Sequence, residues 1–182
     1  GMVLLKNENN TLPIKAEGQK VALFGVTSYD FIAGGTGSGD VNKPYVIDLK
    51  TGLENAGYQL NAELAAIYTT YRDNKEAERK ATGQWWKQQA VEPAIDKRII
   101  NRQAEQNDVA IITIGRQAGE ANDRHIDGDF NLTADEREML QNVTYAFHAQ
   151  GKRVVVILNM GNSIETASWK VLPDAILLAW QP

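Results

Sequence analysis

Glu120 lies in a short polar stretch, Gly119-Glu120-Ala121-Asn122-Asp123-Arg124, a few residues beyond the apolar run Val109 to Ile114 and its stop at Gly115. An unbroken apolar run of this length, rich in β-branched residues, reads as a strand covered on both faces, as in a parallel α/β sheet. In such sheets the loops leaving the carboxyl ends of strands are where ligands bind and chemistry happens. A carboxylate between Gly119 and Ala121 sits on backbone that can approach a ligand closely. A loop glutamate is more commonly a solvated surface residue, so the rest of the chain has to decide.

A second candidate is the glycine-rich stretch Gly34 to Asp40, GGTGSGD, with Ser38 near its end. A phosphate cradle would need Gly-Lys-Ser/Thr, and a dinucleotide fingerprint would need its glycines directly after a strand. Here the glycines begin about ten residues past Phe24, and Asp40 would repel a phosphate. A tight-turned structural loop, or a backbone-and-serine contact with a neutral polyhydroxyl ligand, fits better than nucleotide binding. Asp127, Asp129, Asn131 and Glu138 match four positions of a calcium loop. The position that needs Gly is Leu132, and Glu138 falls inside a helix, so calcium is disfavoured. His125 and His148 cannot build a zinc site without further ligands, and no metal or cofactor is expected.

The elements that must position these residues follow from periodicity and punctuation. Val21 to Phe24 reads as a strand ended by Gly25. Ile47, Leu49, Leu53 and Ala56 have helical spacing closed by Gly57, and Tyr58 to Leu60 is a short strand. Asn61 to Arg79 carries one apolar helical face. From about residue 72 to 95 the chain turns polar apart from Trp85-Trp86, which predicts an exposed insertion anchored by its tryptophans, or less simply a sugar-stacking platform. Asp96 to Gln106 predicts a polar helix. Thr133 with Glu136 is a capping box opening a helix to Gly151. Arg153 to Leu158 predicts a strand with Asn159-Met160-Gly161 as its exit, then a helix over 164–169 and a last strand over 175–179. Met2 to Lys6 reads as the end of a helix. The alternation predicts a three-layer α/β/α sandwich with a mostly parallel sheet, one domain over 1–182.

Composition sets the outer bounds. The 182 residues carry a net charge of -4, and 43% are apolar, enough for a real core. That balance lacks the basic stripe of a nucleic-acid binder. No apolar run approaches the 18 residues of a spanning helix, and no signal peptide is visible, so no membrane partner is expected and the compartment stays open. Without cysteine there is no disulfide or thiol chemistry. Three Asn-x-Thr sequons, at Asn9, Asn131 and Asn142, carry no meaning without a secretory context. The chain stops just after an apolar strand that would ordinarily lead into a crossover, which predicts a fragment of a longer protein.

Five blocks together are specific: GMVLLKNENNTLPI at the start, GGTGSGD, GEANDR, KRVVVILNMGNSIETASW, and ILLAWQP at the end. In this order and spacing the chain resembles the second domain of glycoside hydrolase family 3, the β-glucosidase and related exo-glycosidase family. The resemblance covers most of the chain outside about 72–95. It implies an N-terminal (β/α)8 barrel in the parent that carries the aspartate nucleophile, completed by this domain. It places the general acid/base at Glu120, through the family's GEGxDR loop, and the sugar-touching loop serine at Ser38. Asp123 and Arg124 match the motif's Asp and Arg, whose implied role is holding the loop. Ala121 stands where the motif has its second Gly, which puts the pose of that loop in question if the backbone needs positive φ.

Retaining glycoside hydrolysis uses two carboxylates about 5–5.5 Å apart, one nucleophile and one acid/base. Glu120 supplies one at most, and no nucleophile segment of the family type occurs here. The expectation is therefore a retaining β-glucosidase parent acting on a β-linked glucoside or oligosaccharide, and a fragment inert alone. The rival reading is a non-catalytic carbohydrate-binding or interaction module of the same fold, which would have no need of an acid at 120. A nucleotide-binding flavodoxin-like protein is a weaker third.

Overall fold

All eight residues of β4 (Val109–Arg116) are buried, and they pair in parallel with β5 (Arg153–Met160) over its whole length, from Val109 opposite Arg153 to Arg116 opposite Met160. A strand with neighbours on both edges and cover on both faces needs no polar alternation, which is why these two runs read as continuous apolar segments. The structure, a computed structural model, describes residues 1–15, 18–35, 37, 41–84, 91–118 and 123–182. Trp85-Trp86, expected to anchor the polar stretch, lies outside them.

On its other edge β4 receives β2 (Lys20–Phe24), and β3 (Gln59–Leu60) continues the sheet outward, both in parallel. Beyond β5 come β6 (Ala175–Leu178), parallel, and β1 (Val3–Asn7), antiparallel, giving the order β1-β6-β5-β4-β2-β3. The result is the expected three-layer α/β/α sandwich around a mostly parallel sheet.

A capping residue starts each of the four α-helices. Asp48 accepts from Thr51 N at 2.7 Å to open α1 (Leu49–Asn55), Asn61 opens α2 (Ala62–Ala81), and Asp96 opens α3 (Lys97–Gln106). α4 (Ala134–Ala149) starts with both halves of the Thr133–Glu136 capping box formed. Each such cap satisfies amide donors that the first helical turn leaves without partners. The apolar faces then meet over the sheet: Leu64 and Tyr68 of α2, Ile100 and Ala104 of α3, and Leu140, Val143 and Phe147 of α4 are all buried. Phe147 meets Phe24 of β2 edge to face at 6.5 Å. Full burial of one such ring contributes about 1.5–3 kcal/mol.

Two expectations are corrected. Met2 to Lys6 is not a helix end: from Val3 onward it is the edge strand β1, paired with β6. A four-residue apolar run has no readable period, and the free edge of β6 decides its state by offering backbone partners. Residues 164–169 do not form a helix: a turn begins only at Ala167, where Trp169 N and Lys170 N both return to the Thr166 carbonyl, and the chain then reaches Pro173. That turn buries Trp169 completely, and the tertiary gain at one large side chain outweighs a short, propensity-driven helix. The strands also run further than expected, through Arg116 and Met160. Gly115 does not end β4 but pairs with Asn159 inside it, and glycine suits that position because a Cβ would sit 2.3 Å from Thr27 Cγ2.

Chain direction across the sheet reverses once. From β2 the chain winds outward to β3, whereas from β4 it winds the other way to β5 and β6. Right-handed crossovers therefore put α1 and α4 on opposite faces. A crevice opens between the carboxyl ends of β2 and β4, the position at which α/β sheets bind ligands.

Candidate functional site

Four stretches meet around Ala118, just beyond the carboxyl ends of β4 and β5. A Cβ on Gly35, in the segment leading to Ser38, would lie 3.0 Å from the Ala118 carbonyl oxygen. A Cβ on Gly161, at the exit of β5, would lie 3.1 Å from Ala118 Cβ and 2.8 Å from Gln181 Oε1. A side chain at either position would crowd its neighbours, the Ala118 carbonyl at Gly35 and the Ala118 and Gln181 side chains at Gly161. Ser38 and Glu120 themselves lie outside the described residues, but Gly35 and Ala118 are their near neighbours in sequence.

Asn159 holds this convergence from beneath. Its side chain is fully buried; Oδ1 accepts from Ile32 N at 2.7 Å, and Nδ2 donates to the carbonyls of Ile32 at 3.0 Å and Trp180 at 2.8 Å. One amide thus fastens the segment after β2 and the C-terminal residues to the end of β5. Gln181 Nε2 adds a bond to the Arg116 carbonyl at 3.0 Å.

Beside Ala118, Arg116 is 4% exposed and makes a bidentate pair with Glu136, at 2.6 and 2.7 Å. Its Nε donates to the Asp129 carbonyl at 2.8 Å. Glu136 Oε2 also accepts from Thr133 N at 2.8 Å, so the capping carboxylate has a second task. Arg124 of the GEANDR block reaches the Asp129 carboxylate through Nε at 2.9 Å and Nη2 at 2.6 Å, and it donates to the Ser163 carbonyl. The Arg124 guanidinium holds the Asp129 carboxyl below the usual carboxylate range, against the opposing effect of partial burial. Asp123 is exposed.

The cleft bounded by these groups has a volume of about 280 Å³ and is walled on its other side by Val26, Thr27, Val91 and Glu92. Glu92 closes the polar stretch over 72–95 yet is buried. Its Oε2 accepts from Val26 N at 2.8 Å and its Oε1 from the Tyr68 hydroxyl at 2.7 Å. Burial pushes its carboxyl up to about 8, against the lowering effect of those two hydrogen bonds. Deeper in the wall the Ser28 and Thr113 hydroxyls bond to each other, while the Thr27 hydroxyl is buried without a partner among the described residues.

The calcium-like pattern serves another purpose. Asp129 is taken by Arg124, and Glu138 on α4 faces Lys97 at 3.7 Å. Among the described residues no three His, Cys, Asp or Glu side chains gather as a metal site. Sequence reasoning missed Arg116, Asn159, Asp129 and Glu92 as site-forming residues. A charged residue closing a wholly apolar strand was the one available signal, at Arg116; the others are defined by partners far away in the chain.

The model of the glycosyl hydrolase family 3 C-terminal domain matches residues 2–182. The chain is 33% identical to β-glucosidase A of Butyrivibrio fibrisolvens and 34% identical to a β-glucosidase of Ruminococcus albus, all of the chain being covered in each case. It spans only 24% and 19% of the lengths of those two relatives. Among solved structures, β-glucosidase 3B from Thermotoga neapolitana in complex with glycerol superposes with a TM-score of 0.88 at 40% identity, over 100% of this chain and 25% of that one. The same enzyme in complex with glucose gives 0.85 at 39% identity, over 99% of this chain and 25% of that one.

Proposed function

This chain belongs to glycosyl hydrolase family 3 as its C-terminal domain, and we propose that it completes the active site of a retaining β-glucosidase whose nucleophile lies on a separate (β/α)8 barrel of the parent. What supports this reading is the close approach of Gly35 and Ala118 beyond the carboxyl end of β4, which makes neighbours of the described residues that precede Ser38 and Glu120 in sequence. Glu120 is the general acid/base and Ser38 the loop hydroxyl that contacts the sugar; Asp123 and Arg124 support the Glu120 segment. The β-glucosidase relatives, one of them bound to glucose, favour a terminal β-glucosyl unit as substrate.

The chemistry sets the demands on Glu120. It must hold a proton near neutral pH to protonate the departing oxygen. It must then, as carboxylate, deprotonate the water that hydrolyses the glycosyl-enzyme. The 182-residue chain contributes one of the two carboxylates and turns over no glucoside by itself. A barrel carrying the aspartate is the partner that restores activity.

The decisive experiment uses the full-length parent with Glu120→Ala and an activated aryl β-glucoside, with and without azide. An activated leaving group needs little protonation, so the glycosyl-enzyme forms and then stalls for want of a base. Azide attacks the anomeric carbon, displaces the enzyme carboxylate without needing a base, and releases β-glycosyl azide. Near wild-type turnover by the variant would remove Glu120 from the mechanism and leave this domain a scaffold.

A further inference from the structure

We infer that Asp129 is a positioning residue for the acid/base, joining the two flanks of the Glu120 segment at a single point; this rests on the reading of Glu120 given above. The last residue of β4 before that segment, Arg116, donates Nε to the Asp129 main-chain carbonyl at 2.8 Å. The residue that closes the segment, Arg124, grips the Asp129 carboxylate with Nε and Nη2 at 2.9 and 2.6 Å. The His125 amide adds a bond to the same carboxylate at 3.2 Å. One residue therefore receives both ends of the stretch, the carbonyl serving one side and the carboxylate the other.

The point of attachment is itself anchored. Asp129 lies in the turn Ile126–Phe130, closed by Phe130 N to the His125 carbonyl at 3.0 Å and Asn131 N to the Ile126 carbonyl at 2.8 Å. Glu165 N bonds the Phe130 carbonyl at 2.8 Å, tying the turn to the crossover after β5. Arg116 is fixed by Glu136, which belongs to the capped first turn of α4. Sheet, helix and turn are thus locked to one another on both described flanks of Glu120.

A bidentate Arg–carboxylate pair fixes direction as well as distance, because two parallel bonds tolerate little rotation. An acid/base needs that: a catalytic group displaced by about 1 Å can lose on the order of 10²-fold in rate. Asp129→Asn keeps the shape and the main-chain carbonyl but puts an NH2 against a guanidinium nitrogen, opening the Arg124 side while leaving the Arg116 side intact.

The test uses the full-length parent and two substrates, a dinitrophenyl β-glucoside and an alkyl β-glucoside with a poor leaving group. Asp129→Asn is expected to lose roughly 10- to 100-fold in kcat/KM on the alkyl glucoside but less than about threefold on the dinitrophenyl one. Azide should raise its kcat on the dinitrophenyl substrate. Arg124→Gln should show the same split, and the double variant should be no worse than the poorer single one. If Asp129→Asn fails to fold, Arg124→Gln carries the test alone.

Equal loss on both substrates with a lowered Tm would mark a merely structural ion pair and overturn the inference, as would wild-type behaviour on both. Glu120→Ala, run in the same assays, separates the two readings. If azide rescues Glu120→Ala while Asp129→Asn behaves as wild type, only the Asp129 inference falls. If azide does not rescue Glu120→Ala, the acid/base reading falls first.

Discussion

The Tyr68 hydroxyl donates to Glu92 Oε1 at 2.7 Å, inside a wall where the Tyr68 ring stacks on Tyr29 at 5.1 Å between centroids. Glu92 and Val26, which supplies the second hydrogen bond, are 66 residues apart in sequence. The carboxyl at the end of a polar stretch thus becomes a buried link between α2 and the segment that follows β2.

That link makes stability depend on pH. Burial raises the Glu92 carboxyl from 4.5 to about 8 in the folded state. Below about 4.5 both folded and unfolded chains hold the proton, and the contribution of Glu92 is fully present. As pH rises from there the unfolded chain releases its proton while the folded chain keeps it, so stability falls until about 8 and then levels. Glu92→Gln, which cannot ionise, is expected to flatten this slope. Urea-unfolding midpoints of both proteins across pH 5 to 9 check it; parallel curves would show that Glu92 does not titrate as a buried group.

Two glycines with similar positive φ should differ sharply in their tolerance of alanine. Gly25 has φ +93, and its Cβ would lie 2.2 Å from the Thr113 carbonyl oxygen on the neighbouring strand. Gly57 has φ +88 with nothing within 4 Å. Gly57→Ala should cost about 1–2 kcal/mol, the strain of the left-handed conformation alone. Gly25→Ala must also separate β2 from β4 and should cost at least about 3 kcal/mol. Denaturant unfolding of the two variants measures the difference, and equal costs would refute the steric account.

The Arg116–Glu136 pair should be worth little as a net stabiliser but be very sensitive to loss of one partner. Arg116→Met leaves the Glu136 carboxylate buried and unpaired, for an expected loss of about 3–5 kcal/mol. Adding Glu136→Gln removes the stranded charge while keeping an acceptor for Thr133 N, so the double variant should recover part of that loss. A double variant less stable than Arg116→Met would show that the carboxylate is satisfied by other groups. The unfolding free energies of the three variants form the necessary cycle.

How much was legible in the sequence divides by distance along the chain. The helix expected over Asn61 to Arg79 announced itself through apolar spacing and the one from Thr133 through its capping box as well, because those signals join residues three or four apart. The central strands were legible because double cover leaves them uniformly apolar. The order and spacing of the five sequence blocks pointed to the family and hence to the candidate roles of Ser38 and Glu120, with Asp123 and Arg124 beside them.

Tertiary structure decided the rest. Whether Val3 to Asn7 became strand or helix depended on the free edge of β6, and whether residues 164–169 formed a helix depended on the burial of Trp169. Asn159 found Ile32 at a separation of 127 residues, and Arg116 found Glu136 at 20. An arginine, an asparagine or a glutamate looks the same in sequence whether it faces water or a buried partner. Its role is set by long-range packing that excludes water around it and supplies the matching donor or acceptor, and that exists only once the sheet is assembled.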